Sequence, residues 1–159
     1  MSRTMARIGQ SRAVHLIDAE NLCGSALLSV KRVRELRTAY MAAVPIGPLD
    51  QIILASAHIS VVALGVGWPR QRYEMNSGPD GADIRLARIV VEENLHGRFD
   101  HVYMGSGDGG LAPFAGYLAS AGVPVTVVSR IQSLSPRMRL AASNVIYLDR
   151  PGIAVYQAA

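Results

Sequence analysis

With a single cysteine, Cys23, in 159 residues, the chain cannot form an intramolecular disulfide, and no two-cysteine or Cys/His spacing offers zinc a home. Long apolar runs are missing as well: none approaches the ~20 residues that a membrane-crossing helix needs, and no secretory leader is legible, so the cytoplasm is the expected compartment. Charge is sparse, at 18% of residues against 50% hydrophobic, which excludes the disordered class and points to a compact globular chain. Lysine is reduced to Lys31, so the formal charge of +4 is carried by arginine, whose planar fork suits phosphate and admits a nucleic-acid partner. The first strand-like segment is not followed by G-x-G-x-x-G, and the glycine-rich stretch Gly105–Gly110 lacks the lysine and hydroxyl of a P-loop. Dinucleotide and P-loop nucleotide sites are therefore the least supported chemistries.

The stretch around which the rest can be arranged is Ala13-Val14-His15-Leu16-Ile17-Asp18-Ala19-Glu20-Asn21. A short apolar run that stops at acids and an amide, with a helical pattern after it, reads as a buried parallel strand whose carboxyl end opens into a loop. Ligands of open α/β sheets bind outside such strand ends, which places Asp18 and Asn21 where chemistry is expected. Residues 1–12 carry no period and read as a mobile N-terminal arm, residues 13–149 as one domain, and residues 150–159 as a C-terminal tail, with an optional edge strand at 153–156.

Downstream, Ser25 reads as the N-cap of an amphipathic helix with Leu27, Val30, Val33, Leu36 and Tyr40 inward and Lys31, Arg34 and Arg37 outward. Strands are expected at Gln51–Ala55, Arg72–Met75, His101–Met104, Val123–Val128 and Val145–Leu148, with a short helix within 57–67 and turn chemistry at 76–79. Asp80 reads as the N-cap of a helix over 81–95 with Ile84, Ala87, Val91 and Leu95 inward. Further helices are expected over 111–121, closed by Gly122, and over 133–142. Strands alternating with helices at this spacing give an α/β fold, a three-layer α/β/α sandwich with a mostly parallel central sheet.

Three acids are placed together by that order. Asp18 ends the first strand, Asp108 follows the fourth, and Asp83 lies in the first turn of the helix leading into the fourth. Two carboxylates about 4 Å apart repel by about 4 kcal/mol at an effective dielectric near 20, a cost that a divalent cation removes. Magnesium or manganese suits such an oxygen-only site and supports phosphoryl chemistry. Asp18 carries the strongest functional reading, since a carboxylate ending an apolar strand is expected to be neither a helix cap nor a surface charge. Asn21 either braces the loop or positions Asp18, and Glu20 reads as a solvated neighbour. His15 reads as a satisfied core histidine and Cys23 as a small hydrophobe.

These residues carry a family likeness. Ile17-Asp18-Ala19-Glu20-Asn21 is similar to an I-D-x-x-N signature, Gly81-Ala82-Asp83-Ile84-Arg85-Leu86-Ala87 to K-x-x-D-x-x-L-A, and Ser106-Gly107-Asp108 with Pro113 and Phe114 to S-G-D-x-D-F-x-P. In this order, and with the turn Ala121-Gly122-Val123-Pro124-Val125, they resemble the NYN domain family of PIN-like nucleases over about residues 13–148. The resemblance implies a PIN-like, Rossmann-like fold, a Mg2+ or Mn2+ site on Asp18, Asp83 and Asp108, and hydrolysis of phosphodiesters in RNA. On this reading Asn21 and Ser106 orient substrate or water, and Arg34 and Arg37 guide a single-stranded RNA backbone. Self-association is left open, and no membrane is involved. One departure stands out: Gly110 takes the place of a second acid, and Leu111 that of an aromatic. The departure implies a thinner metal site, and Asp80 is the first other acid to fill the missing position. It also supports an alternative, a catalytically weak or inactive RNA-binding or adaptor domain of the same fold.

Overall fold

The computed structural model describes residues 11–149 and the strand 156–158. Seven strands form one sheet in the order β3-β2-β1-β4-β5-β6-β7. They are β1 (Ala13–Asp18), β2 (Gln51–Ser56), β3 (Arg72–Met75), β4 (His101–Gly105), β5 (Val125–Ser129), β6 (Asn144–Tyr147) and β7 (Tyr156–Ala158). The first six run parallel and β7 pairs antiparallel with β6. The helices are α1 (Ala19–Cys23), α2 (Val30–Ala43), α3 (Val61–Gly67), α4 (Gly81–Glu92), α5 (Leu95–Arg98), α6 (Ala112–Ser120) and α7 (Pro136–Ala141). This is a three-layer α/β/α sandwich.

Strand side chains alternate between the two faces, as a pleated backbone requires. Val14, Leu16, Ile53, Val102, Met104, Val125 and Val127 meet α4, α6 and α7 on one face. Ile17, Ile52, Leu54, Val128 and Ile146 meet α1, α2 and α3 on the other. The central strands are apolar on both sides because both are covered, the usual condition of a parallel sheet. Among the described residues no helix is long and apolar enough to cross a membrane.

The chain moves outward from β1 through β2 to β3, then returns to place β4 on the opposite side of β1. The strand order therefore reverses between β1 and β4, and a crevice opens at their carboxyl ends. Asp18 ends β1 and Asp108 follows β4, so both acids stand at that crevice.

Several local expectations are corrected. The helix after β1 starts at Val30 with Ser29 as its cap, accepting from Arg32 N; Ser25 instead bonds Leu27, and Leu27 is exposed. An additional one-turn helix, α1, follows β1 directly. The inner face of α4 is Ala82, Asp83, Leu86, Ile89 and Val90, while Ile84 and Val91 are about half exposed, at 50% and 57%. The cause is Asp83: its inward placement sets the phase of the helix, whereas a reading by hydropathy rotates a polar residue outward. Of the suggested edge strand at 153–156, residues 153–155 lie outside the described residues, and the observed strand begins at Tyr156.

Candidate metal centre

Each acid is held by the local fold. Asp18 is the N-cap of α1, its Oδ1 accepting from Asn21 N at 3.1 Å. This corrects the expectation that Asp18 caps nothing, which failed because α1 was not foreseen. Asp108 caps the turn Gly109–Leu111, its Oδ1 accepting from Gly110 N at 2.8 Å. Asp83 enters from the first turn of α4 and is 9% exposed.

Asp80, Asp83 and Asp108 each offer a carboxylate oxygen, and the three atoms lie within 4.8 Å of one another. Asp18 lies within hydrogen-bonding range of Asp83. The structure thus brings Asp83 and Asp108 together with Asp80, which was read first as a cap, while Asp18, expected as the third ligand, stands outside that group and adjoins it through Asp83. Asp80 has no side-chain capping bond and sits in the left-handed region at φ 56°. The legible signal for it was its i, i+3 spacing to Asp83, which puts both at one end of one helix.

The electrostatics follow from this crowding. Burial, then Asp108 and Asp18 beside it, push the Asp83 carboxyl up to about 8. Burial also lifts Asp18, to about 6, against the Asn21 N–H that favours its charged form. Asp108 moves the other way, lowered by its hydrogen bond with Asp83 and by the Gly110 N–H. Without a cation, then, Asp83 holds a proton and donates it to flanking carboxylates. Its Oδ1 is buried and receives no N–H or O–H from the protein. A buried carboxylate with one oxygen lacking any donor, among other carboxylates, is a pattern that a hard cation satisfies.

The loop after β4 is clamped from both sides. Gly107 N donates to Asn21 Oδ1 at 3.1 Å, and Gly107 O accepts from Ser135 N at 2.8 Å. A Cβ at Gly107 would stand 2.2 Å from Ser133 O, so no other residue lets the loop lie this close to the segment before α7. Of the two roles expected for Asn21, its side chain performs the bracing one. Ser106 is fully buried, and its Oγ accepts from Asp108 N at 3.2 Å; it shapes the loop from below and cannot reach substrate, contrary to expectation. Glu20 is likewise no bystander, since its Oε1 accepts from Ala57 N at 2.8 Å and ties the exit of β1 to that of β2.

Gly110 stands where an acid was expected. Its φ is not positive, and a Cβ there would lie 3.2 Å from Asp108 Oδ1 and 3.8 Å from Asp83 Oδ2. A side chain at 110 would therefore point at the acids.

Arg34 and Arg37 are not at this site. They are exposed on α2, beside Met41 and, from the neighbouring α3 region, Val66 and Pro69. Arg137 comes close to the glycine loop, its Cβ 3.9 Å from where a Cβ on Gly109 would stand. His15 is a satisfied core histidine: Nδ1 meets the Tyr40 hydroxyl at 2.8 Å, Nε2 meets Asp50 at 2.9 Å, and the ring stacks on Tyr103. Burial lowers its pKa against the pull of Asp50, which assigns the neutral ring with Tyr40 donating to Nδ1 and Nε2–H donating to Asp50. Burial pushes the Cys23 thiol up to about 11, far from the range of a nucleophile.

Comparison with protein-family models finds no match, and no curated protein sequence matches the chain. Among solved structures, the chain is similar to the crystal structure of a protein of unknown function from Vibrio parahaemolyticus, with a TM-score of 0.59 and 16% identity, over 91% of this chain and 97% of that one. At that identity the likeness shows the shared α/β/α fold.

Proposed function

We propose that this chain is a divalent-metal-dependent nuclease of the NYN, PIN-like kind, hydrolysing phosphodiester bonds in single-stranded RNA. The observation that carries the reading is Asp83: a buried carboxylate, charged only at a cost, with Oδ1 unpartnered and Asp18, Asp80 and Asp108 around it. Structural ion pairs do not explain the four acids at one strand-order reversal, since none of them forms a salt bridge among the described residues. Asp80, Asp83 and Asp108 would hold Mg2+ or Mn2+, with Asp18 the fourth acid at hydrogen-bonding range of Asp83. An ion there supplies a Lewis acid for a phosphoryl oxygen and acidity for a bound water.

The remaining residues position rather than react. Asn21 holds the Gly107 loop, Ser106 sets the direction of the Asp108 N–H, and Asp18 and Asp108 keep their carboxylates fixed by capping. Preorganisation of this sort removes the motion that charge rearrangement would otherwise require. A basic chain draws the polyanion toward the crevice.

The test is cleavage of an end-labelled RNA with Mn2+ or Mg2+, with and without EDTA, using the parent chain and Asp18→Asn and Asp108→Asn. Metal-dependent cleavage lost in both variants is expected; cleavage in EDTA, or variants at the parental rate, would sink the reading. One observation favours a second reading: the space at Gly110 facing Asp83 and Asp108 holds no carboxylate. A non-cleaving RNA-binding domain would bind the labelled strand in the same assay and leave it intact.

A further inference from the structure

A cavity of about 630 Å3 lies between α1, α2 and the turn after β5. Its apolar lining is the outer edge of the core, Leu22, Leu36, Ala39 and Leu148, each less than a tenth exposed. Two arginines border it. Arg130 donates from Nε to Asn21 O at 3.2 Å, and Arg32 donates from Nη2 to Cys23 O at 2.9 Å. Both guanidinium groups are thus steered by backbone carbonyls. Neither forms an ion pair among the described residues, and Nη1 and Nη2 of Arg130 make no hydrogen bond there. Arg130 is also given its place by Gly24, where a Cβ would stand 2.7 Å from Nη1. Glu35, Gln132 and Asp149 line the same cavity and offer acceptors.

We infer that this cavity binds one nucleotide of a single strand, with its phosphate on the Arg32 and Arg130 guanidinium groups and its base against the Leu22–Leu36 wall. A bare phosphate would not need the apolar wall, and Glu35 and Asp149 would oppose it. A nucleotide uses every part: a fork pair for the phosphate, an apolar surface for the base, and carboxylate or amide acceptors for ribose hydroxyls and exocyclic amines. The volume is within the range of small-ligand pockets, about 300–1,000 Å3. Asn21 links the two places, bonding the Asp108 loop through its side chain and the cavity-lining Arg130 through its carbonyl. A strand seated in the cavity would therefore continue toward the acids. The choice of a nucleotide over other phosphorylated molecules rests on the nuclease reading; the arginine-bordered cavity does not.

The test is kept apart from catalysis by working in EDTA. A nucleoside 5′-monophosphate, the matching nucleoside, ribose 5-phosphate and inorganic phosphate are titrated into the 15N-labelled chain, with Arg32→Gln and Arg130→Lys as variants whose fold is checked by their spectra. The nucleotide is expected to bind more tightly than the other three, shifting amides around Cys23, Leu36 and Gln132. Arg32→Gln, an exposed and fold-neutral change, should weaken it about tenfold, the loss of one charge-assisted contact. Arg130→Lys should weaken it similarly, because charge is retained but the fork is lost. Equal binding of ribose 5-phosphate, shifts confined to other surfaces, or parental affinity in Arg32→Gln would overturn the inference. Nucleotide binding here together with an RNA that is never cleaved would instead overturn the nuclease reading and leave this one standing.

Discussion

Replacing Asp83 with asparagine should stabilise the protein at neutral and alkaline pH while abolishing its response to divalent cations. In the native chain Asp83 titrates near 8 instead of its ordinary 3.8, so between those values the folded state holds a proton that the unfolded state has released. Stability conferred by that proton is complete below the unfolded value and is lost as pH rises through the window from about 4 to about 8. Read alone, a displacement of this size amounts to on the order of 5 kcal/mol, at about 1.4 kcal/mol per unit. Asp108 is displaced the opposite way by the same shared proton, and local relaxation reduces the remainder, leaving an expected effect of about 2 kcal/mol. The carboxamide copies the protonated state at every pH, donating N–H to the neighbouring carboxylates without charge.

The measurement is thermal unfolding of parent and Asp83→Asn, in EDTA and in Mn2+, from pH 4.5 to 8.5. The variant should match the parent at the acid end and exceed it at pH 8 by roughly 4–8 °C, the shift that about 2 kcal/mol produces in a domain of this size. Millimolar Mn2+ should raise the melting temperature of the parent alone, because only the folded carboxylate cluster binds it. A variant less stable than the parent at pH 8, or a difference that does not grow with pH, would show that Asp83 is not the strained member of the group. Equal stabilisation of both proteins by Mn2+ would place the ion elsewhere.

Gly110→Asp should cost about 1 kcal/mol of stability without metal, through added repulsion from Asp108 and Asp83, and should tighten Mn2+ binding by calorimetry; unchanged affinity in a folded variant would mean that Asp80 already fills the position. His15, whose pKa burial depresses, contributes stability that is present above about 6.5 and lost as pH falls, so its imidazole resonances should titrate with a midpoint below the ordinary value, and a midpoint at or above it would refute the Tyr40–His15–Asp50 assignment. Arg34→Ala with Arg37→Ala should leave the salt dependence of RNA binding as it is, since a lost phosphate contact on a single strand would lower the slope by about 0.7 and both residues lie on the α2 face away from the acids.

The strands were legible because each is a short apolar run ending in a turn or an acid, and a sheet covered on both faces needs nothing subtler; their order across the sheet, with β1 between β2 and β4, comes from the structure. Asp18, Asp83 and Asp108 could be grouped for the same reason, since the ends of β1 and β4 and the start of the connecting helix must meet wherever that order holds. Ser106 was misread because a hydroxyl next to an acid in a glycine-rich loop looks accessible, while its burial is set by the segment before α7, about 27 residues on, which no local pattern reveals. The outward arginines of α2 were visible as a stripe, but a stripe does not say what lies opposite it. Arg32 and Arg130 could not have been paired from sequence at all; a helix flank and a strand end were joined only when Asn21 and Gly24 brought them round one cavity.

Asp83 is where fold and chemistry conflict, and that conflict explains the error in α4. An aspartate on the inner face breaks the apolar period, so hydropathy assigns the helix a face rotated toward Ile84 and Val91, and the two are left half exposed. Packing alone would favour a leucine or alanine at 83, completing the stripe with Leu86 and Val90 and removing a buried carboxyl that must hold a proton. What hydrogen bonding the aspartate gains comes only from the proton it shares with the neighbouring carboxylates, and its Oδ1 receives no N–H or O–H from the protein. A cation joining the acids would offset that cost as the proton does, and the place where the helical pattern fails is also the place where the proposed function begins.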